Sequence, residues 1–208
     1  MVDAPTDEQL LADYLRGDTR SFELLVRRHN RELFQFITRF TGSSTVAEDV
    51  VQDAFLQVHL SGHRFDTQKR FRPWLFTIAA NKARDHLRSR SRRREVPLDA
   101  HVSGEEGFGQ RFLDLLGAEQ SDPLQGMERD EKRRAVRAVV EGMPAVLREV
   151  LILAYYHRFP YREMAEVLNI PLGTVKSRLH SAVGTFATRY RTALKLEEHR
   201  GGGTHGQN

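Results

Sequence analysis

The chain has 208 residues, with 32 lysines and arginines against 28 aspartates and glutamates, no cysteine, and a formal net charge of +4. Without cysteine there is no disulfide and no thiolate metal site, which suits a reducing compartment. The longest apolar run, Val150–Tyr156 (VLILAYY), falls far short of the ~20 residues of a membrane span, and the acidic, mixed N-terminus lacks the apolar segment of a signal peptide, so a cytoplasmic chain with no membrane insertion is expected.

Charge is distributed in four alternating blocks. Residues 1–60 carry 6 basic and 10 acidic side chains, 61–94 carry 11 and 2, 95–131 carry 2 and 10, and 132–208 carry 13 and 6. Two basic surfaces separated by an acidic connector point to a polyanion contacted twice.

In chain order, Phe22, Leu25 and Val26, then Leu33, Phe36, Ile37 and Phe40, recur at helical spacing. Thr41–Thr45 (TGSST) breaks the pattern. A second helix is expected to open with Ser44 or Thr45 as its cap, with Glu48 and Asp49 in its first turn. Ser61–Arg70 reads as a loop, and Phe71–Arg94 as one long helix. At about 100° per residue, Phe71, Trp74, Leu75, Ile78 and Ala79 form one apolar stripe, and Phe76, Ala80, Ala83 and Leu87 another. A helix apolar on two sides is sandwiched in a bundle. Between the stripes runs a polar strip of Arg70, Thr77, Asn81, Arg84 and Arg88, and Arg88–Arg94 is arginine and serine only. The helix dipole favours some basic charge there, but the excess over residues 61–94 is larger than capping asks and points to nucleic acid.

The preceding loop interleaves His63, Arg64, Phe65, Lys69 and Phe71, as single-stranded bases and phosphates require. The alternative is that Phe65 and Phe71 only plug the loop onto the bundle. That structural role is favoured for Phe71, and the two readings are equal for the loop as a whole.

Residues 95–131 combine two prolines, five glycines and many acids, which favours a flexible linker with one helical turn around Arg111–Leu116. A second helical domain runs from about Asp130 to Glu198. Its upstream helix, Val136–Tyr156, has an apolar face of Val139, Met143, Val146, Leu147, Val150, Leu151 and Ala154. A short amphipathic helix, Tyr161–Leu168, follows. Asn169–Leu172 is a turn, in which Asn169 tolerates the left-handed conformation and Pro171 blocks helix continuation. Gly173 and Thr174 open another helix. Val175, Leu179, Ala182, Val183, Phe186 and Tyr190 form its packed face, while Ser177, Ser181, Gly184 and Thr188 centre the opposite one, flanked by Lys176, Arg178 and His180. This is a helix-turn-helix pattern, whose second helix enters a major groove; an ordinary helical hairpin with a solvated outer face fits the same pattern. The expected fold is therefore all-α, with helical domains at 1–94 and 132–198, a flexible acidic linker at 95–131, and a disordered glycine-rich tail at 199–208.

Three segments carry a family resemblance: AEDVVQDAFLQV (47–58), FRPWLFTIAANKARDHLR (71–88) and VLILAYYHRFPYREMAEVLNIPLGTVKSRLHSAV (150–183). In this order, around a linker, they resemble bacterial RNA polymerase sigma factors of the short extracytoplasmic-function (ECF) type over nearly the whole chain. The resemblance implies that Glu48, Asp49, Val51, Gln52 and Phe55 dock on the clamp helices of the polymerase's largest subunit. It implies that His63, Arg64, Phe65, Lys69 and Arg70 capture a base flipped from the opening minus-ten element, while Asn81, Arg84 and Arg88 follow the adjacent backbone. Thr174, Lys176, Ser177, Arg178, His180 and Ser181 would read or hold the minus-thirty-five element of promoter DNA. An anti-sigma factor is a usual partner, the linker would thread the polymerase interior, and no cofactor, metal or catalysis is implied. The chain departs from the family at Ala80, Ser181 and Val183, where basic residues are frequent.

Two other classes compete. A helix-turn-helix regulator acting without polymerase would leave residues 47–58 and the arginine helix unexplained. An enzyme could use Glu48, Asp49, Asp53 and Asp66 as a carboxylate metal site. However, only Asp49 and Asp53 share a helix face, the histidines are scattered, and no phosphate loop or nucleophile motif occurs.

Overall fold

The computed structural model describes residues 4–91 and 127–201, and every regular element among them is helical. The elements are α1 (Asp7–Leu15), α2 (Thr19–Thr41), α3 (Ser44–Ser61), a 3-10 turn (Gly62–Arg64), α4 (Phe71–Ser91), α5 (Met127–Glu141), α6 (Ala145–Leu151) continuing into a π-turn (Ile152–Tyr156), α7 (Tyr161–Leu168) and α8 (Leu172–Gly201). They form two compact units: α1–α4 with Phe159–Leu172, and α5, α6 and the π-turn with the chain from Gly173 onward. Phe159–Leu172, which follows the linker in sequence, thus belongs to the unit built by the first four helices.

In the first unit, α2 packs against α1, α3 and α4. Its residues Leu25, Leu33, Phe36, Ile37 and Phe40 are essentially inaccessible to solvent, as their spacing at three and four dictates. The Phe36 ring lies 6.0 Å from Phe40 and 5.2 Å from Phe76 of α4, placing an aromatic cluster at the centre. Phe71, Leu75, Phe76, Ala79, Ala80 and Ala83 are all buried, so α4 is indeed covered on two sides. Gly42, at φ 74°, ends α2 in the left-handed conformation, where glycine carries no Cβ penalty.

Several expectations are corrected. The helix α1 is absent from the sequence reading, because its nine residues are too few for periodicity to stand out against mixed charge. Ser43, rather than Ser44 or Thr45, caps α3 through its bond from the Val46 amide. Glu48 and Asp49 therefore lie beyond the first turn, and the dipole there does not explain them. The expected helix Val136–Tyr156 is broken at Gly142–Pro144. Pro144 stands at ψ 134°, and its carbonyl restarts the ladder by accepting from the amides of Leu147 and Arg148. The linker up to Gly126, with its expected turn at Arg111–Leu116, and the tail from Gly202 lie outside the described residues.

In the second unit, two guanidiniums close the end of α5. Arg148 Nη1 donates to the Glu141 carbonyl at 2.5 Å, and Arg189 Nη1 donates to the Gly142 carbonyl. Helix C-terminal carbonyls lack intrahelical donors and carry the negative end of the dipole, so arginine suits them. Burial pushes the Arg148 guanidinium below its ordinary pKa range, with Glu141 and Glu149 opposing that shift. In α8, Val175, Leu179, Ala182, Phe186 and Tyr190 are buried as expected, and Phe186 stacks on Tyr190 at 5.5 Å. Gly184, expected on the outer face, is buried, as is neighbouring Thr185. Thr188, expected on the same outer face, is exposed, so Gly184 and Thr185 interrupt that face rather than end it.

Candidate nucleic-acid interface

The α3 helix is divided cleanly by its period. Val46, Ala47, Val50, Val51, Ala54, Phe55 and Val58 are buried, while Glu48, Asp49, Gln52, Asp53, Leu56 and Leu60 face solvent. Val51 and Phe55 are only 5% and 7% exposed, and Phe55 meets the Phe22 ring edge-on at 6.3 Å. Both belong to the core, where they support the face that the expected docking set shares. Sequence reasoning missed Leu56 and Leu60, which are 55% and 58% exposed. Their one signal was leucine at i and i+4 in phase with Gln52 and Glu48. The result is a stripe of acid, amide and leucine, which suits a protein surface better than DNA. Asp53 is tied to Lys82 of α4 at 3.3 Å.

The loop between α3 and α4 is organised by two residues. Asp66 accepts from the Gln68 amide through Oδ1 at 3.0 Å and from the Lys69 amide through its carbonyl at 2.9 Å, forming a local turn. Phe65 wedges against Trp74 at 4.9 Å and Phe71 at 6.2 Å. Phe71 is fully buried, so its structural role holds, and Phe65 is half-buried. His63, Arg64, Lys69 and Arg70 are exposed around this wedge. On α4, Asn81 and Arg88 are exposed and Arg84 is half-buried. Arg84 donates to Asn81 Oδ1 at 2.6 Å and to the Val167 carbonyl at 3.3 Å. Arg70 pairs with Glu163 of α7 at 3.1 Å, and Arg88 with Asp85 at 3.3 Å. The structure thus brings the loop and the strip together along one edge of α4, with α7 beside Arg70 and Arg84. No spacing or motif pointed to Glu163 as a partner there. Arg72 is bidentate to Glu32 of α2, and its guanidinium lies 3.9 Å from the centre of the Phe159 ring, a cation–π arrangement. Ala80 is fully buried, which leaves no surface there for a basic side chain to serve.

The turn after α7 is closed by backbone geometry. Asn169 is left-handed at φ 52°, its amide bonds the Glu166 carbonyl, and the Ile170 amide bonds the Ala165 carbonyl. This is a Schellman closure, with Pro171 following to prevent continuation. At the start of α8, Lys176, Ser177 and His180 are exposed, while Thr174, Arg178 and Ser181 are half-buried. Ser177 donates to the Thr174 carbonyl at 3.1 Å. Short polar side chains flanked by cations at a helix N-terminus fit base edges and phosphates.

Among the described residues, no three of His, Cys, Asp or Glu cluster to hold a metal ion, and no helix is long and apolar enough to cross a membrane.

The sigma-70 region 2 family matches residues 25–93 and the sigma-70 region 4 family residues 133–185. The chain is 34% identical over 183 residues to the RNA polymerase sigma-H factor of Pseudomonas aeruginosa, covering 88% of this chain and 92% of that one. It is 31% identical over 165 residues to the ECF sigma factor SigW of Bacillus subtilis, covering 79% and 86%. A solved structure of CnrH with the cytosolic domain of CnrY superposes with a TM-score of 0.61 at 26% identity, covering 92% of this chain and 98% of that one. With an acidic and apolar stripe on α3, a basic edge on α4, and sigma-70 regions 2 and 4 matched in turn along the sequence, the chain belongs to the ECF group of the sigma-70 family and serves RNA polymerase as a promoter-recognising initiation factor.

Proposed function

We propose that the three surfaces divide the work of initiation. Glu48, Asp49, Gln52 and Leu56, extended by Leu60, form the face of α3 that docks on the clamp helices of the polymerase's largest subunit. Val51 and Phe55 hold that face in shape from beneath. The loop residues His63, Arg64, Phe65, Lys69 and Arg70 capture a minus-ten base, and Asn81, Arg84 and Arg88 follow the adjoining backbone. Flipping costs a few kcal/mol per base, so stacking and charged groups set beforehand around Phe65 offset part of it. Thr174, Lys176, Ser177, Arg178, His180 and Ser181 contact the minus-thirty-five element. In this reading residues 1–94 act as region 2, 95–131 as linker and 132–198 as region 4. The protein works in the cytoplasm, performs no bond chemistry itself, and binds an anti-sigma protein; the similar CnrH is solved in complex with the cytosolic domain of CnrY.

The exposed α3 stripe carries this reading, because leucines 55% and 58% exposed in line with carboxylates suit a protein partner better than a nucleic acid. Capture of purified polymerase core tests it. Gln52→Ala/Leu56→Ala is expected to lose core while melting at the wild-type temperature. Retention of core by that variant would move the docking face elsewhere. Phe55→Ala is the wrong probe, since emptying a buried aromatic site costs about 3–5 kcal/mol and would report on folding.

A further inference from the structure

The region 2 match begins at residue 25, so it assigns no role to α1. The first turn of α1 carries Asp7 and Glu8, an arrangement the helix dipole alone favours. Yet α1 satisfies its own N-terminus with a Thr6–Gln9 capping box, and both acids reach other helices. Asp7 accepts from Arg28 Nη1 at 3.0 Å and from His29 Nε2 at 2.7 Å. Glu8 Oε1 accepts from the Phe71 amide at 2.8 Å. That amide opens α4, and Arg70 before it has no acceptor with which to cap. A cap is ordinarily supplied by the residue just before the helix; here it comes from 63 residues away.

The other end of the loop also meets α1. Gly62 is buried, and a Cβ on it would stand 3.4 Å from Leu11 Cδ1 and 3.5 Å from Leu15 Cδ2. Just upstream, the Tyr14 hydroxyl is hydrogen-bonded to His59 Nδ1. One short helix therefore touches the residue where the loop begins and the residue where it ends. Between those points hang His63, Arg64, Phe65, Lys69 and Arg70. Phe65 rests on the Phe71 ring, whose own amide Glu8 holds.

We propose that α1 is the positioning element of the strand-capture loop and Glu8 its positioning residue. By capping α4 from outside, Glu8 fixes the span between Gly62 and Phe71 and hence the direction in which the loop side chains face the flipped base. Glu8 itself touches no DNA. The inference rests on the reading of this loop as the minus-ten contact.

The test uses full-length protein assembled with polymerase core, on a duplex promoter selected by the wild-type holoenzyme from a randomised library. Three substitutions separate cap from charge. Glu8→Ala removes both, Glu8→Asp keeps the charge but shortens the reach, and Glu8→Gln keeps an acceptor oxygen at full reach. Amide exchange at Phe71 and across 62–70 reads the loop, and permanganate reactivity of promoter thymines reads melting. Glu8→Ala and Glu8→Asp are expected to exchange about fivefold faster, as loss of one N-cap implies, and to melt fewer promoters, with core capture unchanged. Glu8→Gln is expected to behave as wild type. Should Glu8→Ala fail to fold, the contrast between Asp and Gln still separates the two outcomes. Wild-type exchange or wild-type melting in Glu8→Asp, or no rescue by Gln, would overturn the role of Glu8. Wild-type melting by a His63→Ala/Arg64→Ala/Lys69→Ala variant would instead remove the loop reading, and the inference with it.

Discussion

Asp7 joins Arg28 and His29 of α2, and its geometry has a consequence for pH. The hydrogen bond from His29, with Arg28 adding to it against the opposing effect of burial, holds the Asp7 carboxyl below its ordinary 3.8. His29 Nδ1 is buried without a hydrogen-bond partner, and Nε2 faces Asp7 at 2.7 Å. A carboxyl with a depressed folded pKa stabilises the fold above its unfolded value, and that contribution fades as pH falls through the folded one. Asp7→Asn is therefore expected to lower stability at pH 7 by about 1–2 kcal/mol, the size of a partly exposed charged hydrogen bond. Urea titrations should show the gap between variant and wild type narrowing below pH 3.8.

At the scale of elements, helix ends decide the architecture more than helix interiors do. Asn169 takes the left-handed conformation that the sequence suggested for it, and Gly42 does the same after α2. Arg158, at φ 51°, also lies in the left-handed region, ahead of α7. An arginine has no local hydrogen-bonding reason to sit there, and an L residue with a Cβ is disfavoured by about 1–2 kcal/mol. Glycine removes that strain but loses more entropy on folding. Arg158→Gly is expected to raise stability by a net gain of about 0.5–1 kcal/mol, seen as a higher Tm. A lower Tm would mean that the guanidinium makes a compensating contact.

At the scale of the whole molecule, charge alternates in blocks along the chain. The acidic block 1–60 contains α3 and its leucine stripe, while 61–94 and 132–208 are basic. Phosphate contacts release counterions, so promoter affinity should fall linearly on a log–log plot against salt. Arg84→Ala and Arg88→Ala are each expected to lower the slope magnitude by about 1 and to weaken binding uniformly across promoter sequences. A slope unchanged in both variants would detach the α4 edge from DNA.

The sequence by itself determined the all-helical class, the two-sided burial of α4, the Asn169 turn and the family. Each of these depends on local spacing or on short-range conformational preference, which a linear string contains. Tertiary structure alone decided that Phe55 and Val51 lie beneath the α3 face and not on it, since the helical period groups residues without saying which neighbour covers them. It also decided that Leu56 and Leu60 stay exposed, and that Gly184 is enclosed. Most of all, the cap of α4 comes from Glu8, a hydrogen bond between residues far apart in the chain. No periodicity or motif encodes such a partner, because it exists only once α1 has packed beside the loop.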